Sequence, residues 1–459
     1  MNRALPDPCD SILECVGNTP MVRLRRVCDG IRTKVLAKCE FMNPGASVKD
    51  RIGLAIIEEA ERSGKLKPGG IIVEGTSGNT GVGLAIAASI RGYRCIFTIP
   101  DKMSTEKVKL LKAFGAEVIV TPTVGVHHPE YYVTVAKRIV EKNETAILAN
   151  QFYNAANPLA HYRTTGPEIW QQTKGQITAL VGGMGTGGTM TGCARFLKEQ
   201  NPAVRIVGAD PIGSVLQAAK QTGVIPEGQP YKVEGIGGDK VPGVLDLNLI
   251  DEIRMVGDKE SFLMARRLAR EEGLFVGGSS GLATVTALEL ARELDDPDAT
   301  VVVILTDTGE RYLSKLHSDE WMTENRFLDP DTTRARDVLA RKRVGAGLLA
   351  TTPDRSVKQV LATMNEHGIT QMPVIVENEC VGSVRESALM AKAIEDRTVL
   401  DKAILAVMDV PYPVVFETEP MAHVARLFTR ENEAVLVRRA GHIDGIITRF
   451  DVIQHLSGR

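Results

Sequence analysis

Between about Lys34 and Asp307 two hydrophobic patterns alternate. Short β-branched runs at Lys34–Cys39, Gly70–Glu74, Arg94–Ile99, Glu117–Thr121, Thr178–Gly182, Arg205–Asp210 and Thr300–Leu305 predict strands. Segments with apolar residues three and four apart predict helices, among them Gly81–Arg91, Thr105–Phe114 and Thr189–Glu199. A further helix is expected from about Asp50, with Ile52, Ile56 and Ala60 on one face. Strands that are apolar throughout are buried on both sides, which predicts an α/β fold of parallel sheets with helices on both faces. The number of strand–helix units predicts more than one sheet.

The pattern changes after Arg311. The polar stretch over residues 319–336 is expected to be a linker, with Trp321 and Phe327 as docking points, between a first domain over 1–318 and a second over 337–459. The second domain contains an internal repeat, over about 337–396 and 400–459. Met372–Val376, a turn and Val381–Val384 match Ala434–Val437, a turn and Asp444–Thr448, and Gly382 and Gly445 stand 63 residues apart. A helix is expected before each strand pair, so two similar units should pack as a pseudo-symmetric pair.

At 459 residues, two or three domains are expected. Net charge is -2 and 24% of residues are charged, without a basic patch that would suit nucleic acid. No apolar run approaches membrane-spanning length, and MNRALPDPCDSILEC has no apolar signal core, so a cytoplasmic protein is expected. Seven scattered cysteines form no CxxC, so neither a zinc site nor a dithiol motif is expected.

Candidate chemistry lies in the turns. Asn43-Pro44-Gly45-Ala46-Ser47-Val48 leads into Lys49 at the lip of a helix, where the helix dipole and burial both lower an amine's pKa and fit it for Schiff-base chemistry. Thr76-Ser77-Gly78-Asn79-Thr80-Gly81 joins a strand to a helix and suits a carboxylate. Gly182-Gly183-Met184-Gly185-Thr186-Gly187-Gly188-Thr189 suits a phosphate but lacks the Lys-Ser/Thr of a Walker A loop. It also fits GxGxxG, with Asp210 about 20 residues on, so a dinucleotide-binding oxidoreductase is a rival on this loop alone. Val276-Gly277-Gly278-Ser279-Ser280-Gly281 adds a serine loop. A Schiff-base lysine, a carboxylate loop, a phosphate loop and a serine together meet the needs of pyridoxal 5'-phosphate.

The motifs NPGASVKDR, TSGNTG, GTGGT and GGSSG occur in this order, after Asn18-Thr19-Pro20-Met21. In them the chain resembles the cystathionine β-synthases, within the fold-type II pyridoxal phosphate enzymes that include cysteine synthase and the tryptophan synthase β-subunit. The resemblance implies that Lys49 carries the cofactor and moves the α-proton, and that Asn79 bonds its ring hydroxyl. Gly185, Thr186, Gly187, Gly188 and Thr189 would hold its phosphate, and Ser279 would face the ring nitrogen. Thr76, Ser77, Gly78, Thr80 and Gln151 would hold the substrate carboxylate. The implied reaction is a β-replacement joining L-serine and L-homocysteine, with O-acetylserine plus sulfide as the alternative. Glu234 in Val233–Gly237, the segment Asp210–Ser214 and the C-terminal repeat favour the former. Gly238 and Phe152 depart from the aromatic residue and the tyrosine usual in the animal enzymes. The haem-binding extension and the CxxC of those enzymes are missing, so no haem is expected.

The repeat resembles a pair of CBS motifs, a Bateman module. Thr448 and Asp451 would bind the ribose of S-adenosylmethionine or another adenosyl ligand. Arg385 and Ala388 stand at the matching places of the first repeat, so a single site is expected. A module serving assembly alone, and a catalytically weak adenosyl sensor, remain alternatives. A homo-oligomer, dimer or tetramer, is expected from the same resemblance.

Overall fold

The computed structural model describes residues 8–76, 78–101, 103, 105–125, 128–328, 333–341, 348–429 and 432–456. They form two compact units, Met1–Leu328 and Asp329–Arg459.

The first unit contains two sheets, one of six strands and one of four. The larger comprises β1 (Met21–Arg23), β2 (Lys34–Cys39), β7 (Ala179–Gly183), β8 (Arg205–Pro211), β9 (Glu252–Val256) and β10 (Thr300–Leu305), in the order β1-β2-β10-β7-β8-β9. Only the β1–β2 pair in it is antiparallel. The smaller is all parallel, in the order β5-β4-β3-β6, from β3 (Ile71–Gly75), β4 (Arg94–Pro100), β5 (Glu117–Thr121) and β6 (Ala146–Leu148).

Successive residues of these strands feed opposite faces, as the two-residue strand period requires. Val181, Val207, Val301 and Val303 join Phe262, Leu268, Ala283 and Ala287 of helices Asp258–Glu272 and Gly278–Leu294. Leu180, Ile206, Val302 and Ile304 instead meet Met190, Cys193 and Leu197 of helix Gly188–Gln200. In the smaller sheet Ile72 and Phe97 meet Ile52, Ile56 and Ala60, the expected face of helix Lys49–Arg62. Ile71, Val73 and Ile96 pack with Ala136. Helices thus cover both faces of each sheet, and each fully buried Val, Leu or Ile contributes about 1.5–3 kcal/mol.

All seven expected strands are present, displaced by at most one residue at either end. The three unexpected ones have physical reasons. β1 and β6 have three residues each, too few for a period to register, and β9 is an edge strand whose Glu252 and Arg254 interrupt the apolar run. The stretch from 319 to 328, expected to begin the linker, packs on the first unit. Helix Asp319–Glu324 brings Trp321 against Phe262 at 5.5 Å, and Phe327 meets the same ring at 5.1 Å.

In the second unit two similar halves recur. Helix Val357–His367, the hairpin β11 (Gln371–Val376) and β12 (Glu379–Arg385), and helix Glu386–Glu395 make the first. β13 (Val414–Phe416), helix Met421–Arg426, the hairpin β14 (Ala434–Arg439) and β15 (His442–Thr448), and helix Arg449–Leu456 make the second. Both hairpins change register at equivalent places, after Val374 and after Val437, the residues opposite Gly382 and Gly445. Both glycines have a packing reason: a Cβ would overlap Met408 at the first and strike Leu339 at the second. Among the described residues no helix is long and apolar enough to cross a membrane, and no cluster of His, Cys, Asp or Glu could hold a metal.

Candidate active site

Lys49 is the first residue of its helix. The turn before it is tied down on both sides. Asn43 Nδ2 donates to the Glu40 carbonyl at 2.8 Å, and Asn43 Oδ1 accepts from Gly17 N at 2.8 Å. Val48 N donates to Thr306 O at 2.9 Å, and Thr308 N to Ala46 O at 3.2 Å, which lays the end of β10 beside the lysine turn. Burial holds the Lys49 amine below the usual lysine range, and the anions Asp307 and then Glu40 oppose that shift.

Asn79 is the first residue of helix Asn79–Arg91, two residues earlier than its sequence pattern predicts. This helix crosses the Lys49 helix at glycines: a Cβ on Gly53 would overlap Gly83, and one on Gly83 would crowd Lys49 O. The crossing places Lys49 and Asn79 at neighbouring helix starts. Asn79 Nδ2 donates to Asp307 Oδ2 at 2.7 Å, and Asn79 Oδ1 accepts from Arg311, which also donates to the Gly45 carbonyl.

In the second loop Thr80 Oγ1 donates to Gln151 Oε1 at 2.7 Å. Thr76 Oγ1 accepts from Gly78 N at 3.0 Å, and Gly78 takes φ +129°, which suits a residue without Cβ. Ser77 lies outside the described residues. Buried Glu74 accepts from Asn150 N at 2.7 Å and from Gln151 N at 3.4 Å, and burial pushes its pKa up to about 7.

The phosphate-type loop Gly185–Thr189 leads from β7 into helix Gly188–Gln200. Asn157 Nδ2 donates to Gln151 O at 2.8 Å and to Thr186 Oγ1 at 3.1 Å, so one side chain joins this loop to Gln151. His161 Nε2 lies 3.1 Å from Thr189 Oγ1, and its Nδ1 lies 2.9 Å from Thr165 Oγ1. Burial, then Arg51 and Lys49, hold His161 well below the ordinary histidine range, so it is neutral. Ser279 Oγ pairs with Thr306 Oγ1 at 2.6 Å. Asp210 is fully buried in β8, out of reach of a ribose, and burial pushes its pKa up to about 7. That removes one of the two features on which the dinucleotide rival rested.

Residues 12–307 match the model of the pyridoxal-phosphate dependent enzymes, and residues 335–395 and 404–458 match that of the CBS domain. A cystathionine beta-synthase of Mus musculus is 40% identical over 443 residues, covering 95% of this chain and 78% of that protein. One from Dictyostelium discoideum is 39% identical over 465 residues, covering 97% and 92%. One from Apis mellifera is 46% identical over 331 residues, covering 72% and 64%. The chain belongs to the cystathionine beta-synthase family.

The cofactor of this family member is pyridoxal phosphate, and the residues present fit it. The Lys49 amine, of lowered basicity, acts electrostatically on His161, which lies 3.1 Å from Thr189 Oγ1 in the first turn of helix Gly188–Gln200, and Thr186 precedes that helix, whose free N–H groups suit a phosphate. Sequence reasoning found the four loops and missed the residues that hold them: Asn157, His161, Thr306, Asp307 and Arg311. The last three follow the carboxyl end of β10, where parallel sheets bind ligands, a topological signal that no local motif carries.

The CBS-motif unit keeps Thr448 and Asp451 together. Thr448 N and Oγ1 donate to Asp451 Oδ2 at 2.6 and 2.7 Å, capping helix Arg449–Leu456. In the first repeat Arg385 instead pairs with Asp409 at 3.2 Å.

Proposed function

We propose that this chain condenses L-serine with L-homocysteine to L-cystathionine and water. The observation that carries the reading is the Lys49 amine, depressed in pKa and placed beside Asn79, with the carboxylate-type and phosphate-type loops joined through Asn157. Pyridoxal phosphate, when bound, supplies an electron-withdrawing ring that acidifies the α-proton of an attached amino acid.

The chain's own residues divide the remaining work. Gly185, Thr186, Gly187, Gly188 and Thr189 hold the cofactor phosphate, and Asn79 orients the ring. Thr76, Gly78, Thr80 and Gln151, with Ser77, bind the serine carboxylate. Lys49 takes the α-proton as general base and returns it after homocysteine sulfur has replaced the β-hydroxyl, which leaves as water carrying the proton given up by the homocysteine thiol. Ser279 offers the ring nitrogen a neutral hydroxyl, which disfavours transamination; rapid turnover with an amine donor would contradict that role.

The test is a turnover assay on cofactor-loaded protein, with serine and homocysteine in one arm and O-acetylserine and sulfide in the other. The expected result is a higher kcat/KM in the first arm, and loss of the yellow colour in Lys49→Ala. A clear win for O-acetylserine would make the chain a cysteine synthase. For the second unit the reading is one adenosyl site at Thr448 and Asp451. Calorimetry of the full chain should give heat with S-adenosylmethionine and none in Asp451→Ala; no heat with the parent chain refutes it. A homo-oligomer, dimer or tetramer, is part of the reading, and light scattering at a monomer's mass would overturn it.

A further inference from the structure

Asp307 joins the candidate motifs, although it belongs to none of them. It follows β10 and is 1% exposed. Its backbone bridges Ser47 in the lysine turn, and its carbonyl accepts from Gly277 N of the serine loop at 3.1 Å. Its Oδ2 takes two hydrogen bonds, from Asn79 Nδ2 and from Tyr312 OH, each at 2.7 Å. Its Oδ1 is buried with no hydrogen-bond partner and lies against Gly277, where a Cβ would overlap it. A buried acceptor left open is costly, and a site that retains one has a use for the charge.

We propose that Asp307 is the positioning residue of this active site. Its carboxylate fixes which way the Asn79 amide points, and it supplies the standing negative charge opposite the Lys49 amine. This deepens the reading given above, since it rests on Lys49 and Asn79 facing the cofactor.

Asn79 is an amide whose two ends must be told apart. Asp307 can only accept and so selects the Nδ2 end, while Arg311 can only donate and so selects Oδ1. Around Lys49 the ionisable groups are few. Arg51 is occupied with Glu40 and Glu168, His161 is neutral, and Asp50 accepts from Gly45 N at 2.5 Å with its pKa pushed to about 7 by burial. Tyr312, with its pKa raised well above the ordinary range, stays protonated and donates to Asp307. Asp307 is therefore the anion with the largest hold on the lysine, and Glu40 is second.

Asp307→Asn keeps the shape and removes the charge. In the cofactor-free protein the Lys49 amine then loses its main opposing anion. Its pKa falls further, and its neutral fraction at a given pH rises. Acylation of Lys49 by acetic anhydride, followed by mass spectrometry against pH, reads this directly without turnover. The expected result is a labelling profile displaced to lower pH in Asp307→Asn, and restored in Asp307→Glu. In cofactor-loaded Asp307→Asn the absorbance titration should shift in the same direction. A labelling profile identical to that of the parent, in a variant that melts at the same temperature and still binds pyridoxal phosphate, overturns the proposal. A parent chain that binds no pyridoxal phosphate at Lys49 overturns the reading on which it rests, and the two failures are distinguishable.

Discussion

Glu234→Gln tests whether the family-type glutamate acts through buried charge. Glu234 Oε2 accepts from Lys107 Nζ at 2.5 Å, and Oε1 accepts from Lys315. The side chains are 9% exposed for Glu234, 3% for Lys107 and 24% for Lys315, so Lys315 can turn to water and Lys107 cannot. Breaking a buried pair by removing one charge costs about 3–5 kcal/mol. Lys107 keeps its place 4.7 Å above the Tyr312 ring in parent and variant alike, and the loss falls at the lower end of that range because Lys315 can turn to water. A net loss of about 3 kcal/mol follows, or roughly 6 °C in the melting of the first unit.

The effect should reach the loop proposed to hold the substrate carboxylate, because a Cβ on Gly78 would stand 2.9 Å from Lys107 Cδ. The KM for serine should therefore rise several-fold while kcat changes less. The sign with pH is fixed. The two lysines hold Glu234 below its ordinary 4.5, against the effect of burial, so its contribution is complete above about pH 4.5 and fades as pH falls further. The stability gap between parent and variant should shrink on acidification. Thermal melts at pH 7 and pH 4 and steady-state kinetics are the assays. A melting temperature within about 1 °C of the parent at pH 7, with unchanged kinetics, would refute the reasoning.

At Gly188 a Cβ would overlap the Asn157 amide, so Gly188→Ala should cost about 1–3 kcal/mol and weaken pyridoxal phosphate binding at least tenfold, read by fluorescence titration. His161 is buried and neutral while the unfolded chain takes a proton below about pH 6.5, so stability should fall on acidification through that value, by up to about 1.4 kcal/mol per pH unit. His161→Gln should flatten that slope in urea unfolding. At Gly277 a Cβ would overlap Asp307 and the Tyr312 ring, so Gly277→Ala should lower the melting temperature by several degrees and loosen the cofactor, as calorimetry and absorbance would show.

What could be read along the chain follows from where the information sits. Lys49, Asn79, Gly185–Thr189 and Ser279 lie in turns that join apolar segments to helices, so glycine punctuation and hydrophobic pattern reveal them locally. Asp307, His161 and Lys107 are ordinary residue types whose meaning comes from burial. Lys107 finds Glu234 127 residues away, and His161 finds Thr189 28 residues away. Glu234 was legible through resemblance alone, and its two lysines supply the physical reason.

The same holds for the assembly of the site. Each loop can be recognised by itself, but the pattern does not say that the loops meet. That is decided by backbone contact at Gly53 and Gly83, two glycines inside helices, where glycine carries a cost of about 1 kcal/mol relative to alanine. The cost is accepted because any larger residue would force the Lys49 and Asn79 helices apart. Asp307 has its Asn79 contact at 2.7 Å only when those helices touch. Lys49 thus owes its setting to two positions that carry no chemistry.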